Sequence, residues 1–179
     1  MNTILQRSRH LLPLIIAMAL AVSVITPVAA AGQSNLAALR NATARFHDID
    51  KAEAAGYTIK VADLAGIECI AQPGVGVMGI HFLNLGLLDD AVNATTPELL
   101  IYEPGRGNSL KLIAVEYLVI QSAWEEAGNT SPPSLFGEEF NLTPAGNRYG
   151  LPAFYELHVW VWKPNPNGMF YEWNPNVSC

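Results

Sequence analysis

Positive charge is the first thing this chain is short of. Ten lysines and arginines stand against sixteen aspartates and glutamates, for a net charge of −6. No basic stripe survives in that balance, which argues against nucleic acid as a partner and leaves little to draw the chain to an anionic membrane surface. Cysteine is nearly missing as well. Only Cys69 and Cys179 occur, without CxxC spacing or a CxxCH haem attachment. A GxSxG nucleophile elbow, a Walker phosphate loop, an HExxH helix and a methionine-rich copper tract are absent, as is any internal repeat. GVGVMG at 74–79 does match the dinucleotide pattern GxGxxG. That motif must open a helix, whereas here it runs into the strand-like IHFL; its glycines instead let a strand bend or another segment approach closely.

What is present begins with an address. Arg7, Arg9 and His10 precede an apolar stretch at 11–25, interrupted only by Ser23, and Ala29, Ala30 and Ala31 supply small residues for a peptidase. This reads as a signal peptide over 1–31, followed by one globular domain at 32–179 outside the cytoplasm, secreted or periplasmic. Contact with a membrane is expected only if that segment stays uncleaved as an anchor. Without the two leader arginines the net charge is −8. In an oxidising compartment Cys69 and Cys179 are expected to form a disulfide that ties down the C-terminus, stabilising by about 4–5 kcal/mol for so long a loop. Five Asn-x-Ser/Thr triplets, at Asn41, Asn93, Asn129, Asn141 and Asn176, matter only in a glycosylating host.

Ser34 or Asn35 can cap a single amphipathic helix carrying Leu36, Leu39, Ala42, Phe46 and Ile49, with Gly56 as its stop. Strands are expected at 57–62, 75–83, 98–103, 111–121 and 154–162. A turn at 104–108 joins the third and fourth, and a short helix follows at 121–127. The stretch 129–150 has no periodicity and reads as a lid or pocket wall.

Four of these strands carry an ionisable residue where an apolar one belongs: His81, Glu103, Glu116, and Glu156 with His158. A buried charge is costly unless paired, neutralised or metal-bound, so these groups are expected to share one cluster. Strand alternation puts Phe154, Glu156, His158, Trp160 and Trp162 on one face. Glu156, Trp160 and Trp162 would then wall a pocket for a small molecule. His81, Glu103, Glu116 and His158 are candidate ligands for Zn, Fe, Mn or Ni, since two imidazoles and a carboxylate form a facial set with open positions. Glu116 and His158 are the candidate catalytic acid and base. The competing reading is a structural network of hydrogen bonds, with Glu116 in a buried ion pair or protonated.

Several segments are familiar together: ATARFHD at 42–48, GVMGIHFLN at 76–84, PELLIYEP at 97–104, VEYL at 115–118, ELHVWVW at 156–162 and NPNVSC at 174–179. They resemble an uncharacterised family of small secreted, mostly bacterial proteins. The resemblance implies a shared fold and a signal peptide, and it assigns no activity.

The expected fold is α+β: an N-terminal amphipathic helix on a curved, mainly antiparallel sheet or partly closed barrel. The expected function is a metal- or acid/base-dependent enzyme acting on a small neutral or aromatic molecule. The alternative is a non-catalytic extracytoplasmic protein that binds a ligand or partner.

Overall fold

The structure, a computed structural model, describes residues 27–179. The basic and apolar parts of the expected leader lie outside the described residues, and Ala29 to Ala31 fall within the first helix. Among the described residues no helix is long and apolar enough to cross a membrane.

Helix α1 (Pro27–Thr43) opens on proline, which suits a first turn because its missing N–H has no partner there anyway. The helix therefore starts ahead of Ser34 and does not continue to Gly56. A 3-10 turn (Ala44–His47) follows, and the chain becomes extended at Asp48 before α2 (Ile49–Ala54). The cause is the Asp48 side chain. It accepts a hydrogen bond from the Asp50 N–H at 3.2 Å and so caps a new helix where the apolar spacing alone would continue the old one. Leu36, Leu39 and Phe46 of the expected stripe are buried all the same.

The strands are β1 (Ile59–Lys60), β2 (Cys69–Gln72), β3 (Gly76–Leu83), β4 (Leu99–Pro104), β5 (Leu110–Ile120), β6 (Ser134–Leu135), β7 (Glu138–Glu139), β8 (Asn141–Thr143) and β9 (Phe154–Val159), with α3 (Gln121–Glu126) after β5. The main sheet runs β1-β3-β4-β5-β9-β8, with β2 also on β3, and every pairing is antiparallel. The sheet stays open, so the partly closed barrel is corrected to an α+β sheet with free edges. The stretch expected as a lid contributes the edge strand β8 and the small β6–β7 hairpin.

Alternation gives the sheet two different faces. One holds Phe82, Leu100, Tyr102, Val115, Tyr117, Leu157 and Val159 and packs against Leu36, Leu39, Phe46 and Tyr57. Each large side chain buried there stabilises by about 1.5–3 kcal/mol. Tyrosine hydroxyls reach through this layer to satisfy backbone carbonyls: Tyr102 donates to Phe46 at 2.7 Å and Tyr57 to Pro97 at 2.8 Å. The opposite face has an apolar cluster at each end, Leu99, Leu118 and Phe154 at one and Ile101, Ala114, Trp160 and Val177 at the other. The ionisable residues lie between them.

The C-terminal tail folds back over this second face. Asn174 bridges to Val77, and Cys179 is disulfide-bonded to Cys69, as the sequence leads one to expect. Gly76 allows the approach, because a Cβ there would sit 3.0 Å from the Asn174 backbone.

Candidate metal centre

Register brings the polar residues together. Glu116 on β5 is the direct partner of His158 on β9 and, on its other side, of Leu99 on β4. His81 on β3 is the partner of Ile101 on β4, so its ring reaches across that strand. His81 Nε2 lies 3.5 Å from His158 Nε2 and 3.5 Å from Glu116 Oε2, and His158 Nε2 lies 3.8 Å from the same oxygen. A triangle with these sides has its centre ~2.1 Å from each corner, the length of a zinc–nitrogen or zinc–oxygen bond. Two imidazoles and one carboxylate therefore present three donor atoms at coordinating distance from one point. All three residues are buried, at 4 %, 4 % and 1 % exposure for His81, Glu116 and His158.

The surroundings aim these donors. The His81 ring bonds the Gly79 backbone, which leaves Nε2 directed inward. Gly79 is required for this bend: its φ is +116°, and a Cβ there would meet the Tyr102 carbonyl oxygen at 2.7 Å. On His158, Nδ1 is buried without a hydrogen-bond partner and faces Glu156 Oε2 at 3.8 Å. The Thr143 hydroxyl donates a short hydrogen bond to the other oxygen of Glu156.

Burial dominates the protonation states. It holds the Glu116 carboxyl well above its usual range, and the charge of Glu156 adds to the shift. Glu156 is raised by burial too. Burial pushes His81 down to about 4, and burial together with neighbouring His81 lowers His158 well below its ordinary value. Near neutral pH both imidazoles of the metal-free cluster are thus neutral, and burial favours the protonated form of Glu116. Neutral imidazole is already the ligand form, and only the carboxyl must give up a proton to bind an ion.

Glu103 is not brought to this group. It lies further along β4 and pairs with Lys163 Nζ at 2.6 and 2.8 Å, while also accepting from the Ser178 N–H at 3.1 Å. Its place among the candidate ligands is thereby corrected: it anchors the tail. Trp162 is corrected too. Strand β9 ends at Val159, after which Trp162 and Lys163 both donate to the bulged Ile113 carbonyl. The Trp162 ring ends on the helix side, 4.5 Å from the His47 ring, with its indole N–H donating to Thr43. Trp160 stays on the cluster's face but is core, 2 % exposed, with its N–H bound to the Tyr171 carbonyl. Glu156 and Trp160 thus back the donors from the interior rather than line an open pocket.

Residues without a signal in the sequence complete the neighbourhood. Thr143 sits on a three-residue edge strand, and Tyr149 reaches in from an irregular loop, with its hydroxyl 3.8 Å from Met78 Sδ. Glu172 is half-buried in the tail. Glu98, only 3 % exposed, accepts from the Leu118 N–H at 3.0 Å, and burial pushes it up to about 8. Comparison of the chain with protein-family models, curated proteins and solved structures returns no match.

Proposed function

We propose that this protein binds one divalent first-row transition ion, zinc, iron or manganese, through His81, Glu116 and His158. One observation carries the reading: three buried donor atoms of the right chemistry lie around a common point at bond length. Three protein ligands leave coordination positions open, so the centre is suited to catalysis on a small neutral molecule that can enter an apolar interior. The disulfide fits a site of action outside the cytoplasm, as does the resemblance to small secreted proteins. The direct test is elemental analysis of protein purified without a nickel column. Close to one ion per chain, lost in His158→Ala, supports the reading; less than ~0.1 per chain after reconstitution with zinc, manganese and ferrous iron removes it.

A metal-free reading has its own support. Burial favours the neutral form of both imidazoles and of the Glu116 carboxyl, and a neutral cluster is tolerable as a hydrogen-bonded knot in the core. It would then be a scaffold element in a non-catalytic extracytoplasmic binding protein. The same elemental analysis separates the two.

A further inference from the structure

A centre this deeply buried needs a way in, and its walls differ in chemistry. One flank is Leu99, Leu118 and Phe154, and the other is Ile101, Ala114, Trp160 and Val177. Neither offers an oxygen to a cation that must shed water. The third side is polar. Asn141 on β8 is the register partner of Glu156, and its side-chain amide donates to Glu172 Oε1 at 3.4 Å. Thr143 on the same strand donates to Glu156. From solvent inward the carboxyls therefore run from half-buried Glu172 through Glu156, at 5 % exposure, to Glu116, at 4 %. Among the described residues no lysine or arginine pairs with Glu156 or Glu172. At the inner end the buried, unpartnered His158 Nδ1 is aimed at Glu156, a polar atom that the protein alone leaves unsatisfied.

We propose that Glu172 and Glu156, between β8 and the C-terminal tail, form the route by which a hydrated divalent cation reaches and leaves the His81–Glu116–His158 centre. This rests on the metal reading above. Carboxylate oxygens replace water on the ion in stages, Glu172 drawing it from solvent and Glu156 passing it to the buried donors. Glu172 sets the rate of exchange, whereas the three donors set the affinity.

The test is stopped-flow uptake of Zn2+ by the full chain, with a chromophoric chelator as the competing reporter, at low and moderate salt. Glu172→Gln removes one charge from the mouth of the route. Association is expected to slow about 5- to 10-fold at low salt, with less difference at higher salt. The equilibrium affinity is expected to stay within about twofold, because release slows with uptake. Glu172→Asp, which keeps the charge, is expected to load at near wild-type rate. Glu139→Gln, an exposed acid on β7, serves as the control and is expected to change nothing. Uptake by Glu172→Gln as fast as by wild type or by Glu139→Gln overturns the route while leaving the metal site standing. Uptake of no Zn2+ by the wild type overturns both.

Discussion

Replacing Glu116 by glutamine separates the two readings of the buried cluster. In the metal-free protein burial favours the protonated Glu116 carboxyl, and the amide matches that form in size, charge and capacity to donate. The variant should lose less than about 1 kcal/mol of stability without metal. As a ligand the amide is far poorer, because it brings a neutral oxygen where the ion needs an anionic one. A loss of about 100-fold in affinity corresponds to about 2.7 kcal/mol. With free Zn2+ at a thousand times the wild-type dissociation constant, binding stabilises the wild type by about 4.1 kcal/mol and the variant by about 1.4 kcal/mol. For a domain of this size each kcal/mol moves the thermal midpoint by about 2–4 °C. The wild type should gain about 8–16 °C from zinc and the variant about 3–6 °C. Scanning calorimetry with ZnCl2 and with EDTA reads both quantities. The pH dependence carries its own sign. The folded, metal-free Glu116 holds a proton that the ion must displace, so zinc affinity should rise with pH by up to about tenfold per unit below the folded pKa. Both histidines are already neutral at pH 7 and contribute no slope there. Equal zinc shifts in the two proteins would remove Glu116 from the ligand set. A large loss of metal-free stability would instead show Glu116 to be a charged partner in the apo cluster.

Other consequences follow from single residues. Glu98 is pushed from 4.5 up to about 8, so the folded state keeps a proton that the unfolded chain has lost. Its contribution to stability therefore declines as pH rises from about 4.5 to about 8, by at most about 1.4 kcal/mol per unit, and is level above that. Glu98→Gln keeps an acceptor for Leu118 and should remove the decline; urea titrations in which the gap to wild type is the same at pH 5 and pH 8 would contradict this. Opening the disulfide with Cys69→Ser and Cys179→Ser releases a loop of sequence separation 110 and should cost about 4–5 kcal/mol in urea titration; a cost under about 1 kcal/mol would deny the tail its anchoring role. Gly79→Ala combines φ +116° with a 2.7 Å approach to the Tyr102 oxygen and should cost more than about 2 kcal/mol. Gly107→Ala, at φ +64° in open space, should cost only about 1 kcal/mol, and equal losses would show that close approach at Gly79 is not the cause.

The strands that carry the donors are legible because each is an apolar run broken by one or two ionisable residues. The cost of an isolated buried charge then argues that His81, Glu116 and His158 meet, and register does bring them together. Period-two alternation failed when carried past its element. Extended through Val159, it put Trp162 beside His158, whereas the chain turns at the Ile113 bulge and sends that ring to the helices. Glu103, at the end of its strand, is a supplementary candidate beside Glu116, but Lys163, sixty residues away, answers its charge. Local sequence does not report such a partner. The helix break at Asp48 escapes the sequence for a different reason: apolar spacing persists across it, while a side-chain cap decides the backbone. Strands β2 and β8 are too short for a period to register. Thr143 and the half-buried Glu172 were therefore invisible until β9 and the tail gave them neighbours.

X-ray absorption at the zinc edge, on protein loaded with one equivalent of Zn2+, reads the ligands of the ion themselves. Two imidazole nitrogens and carboxylate or water oxygens are expected at about 2.0–2.2 Å, with no sulfur, and one imidazole is expected to be lost in His158→Ala. A shell of oxygens alone, or a spectrum that His158→Ala leaves unchanged, would place the ion elsewhere and remove the His81–Glu116–His158 centre.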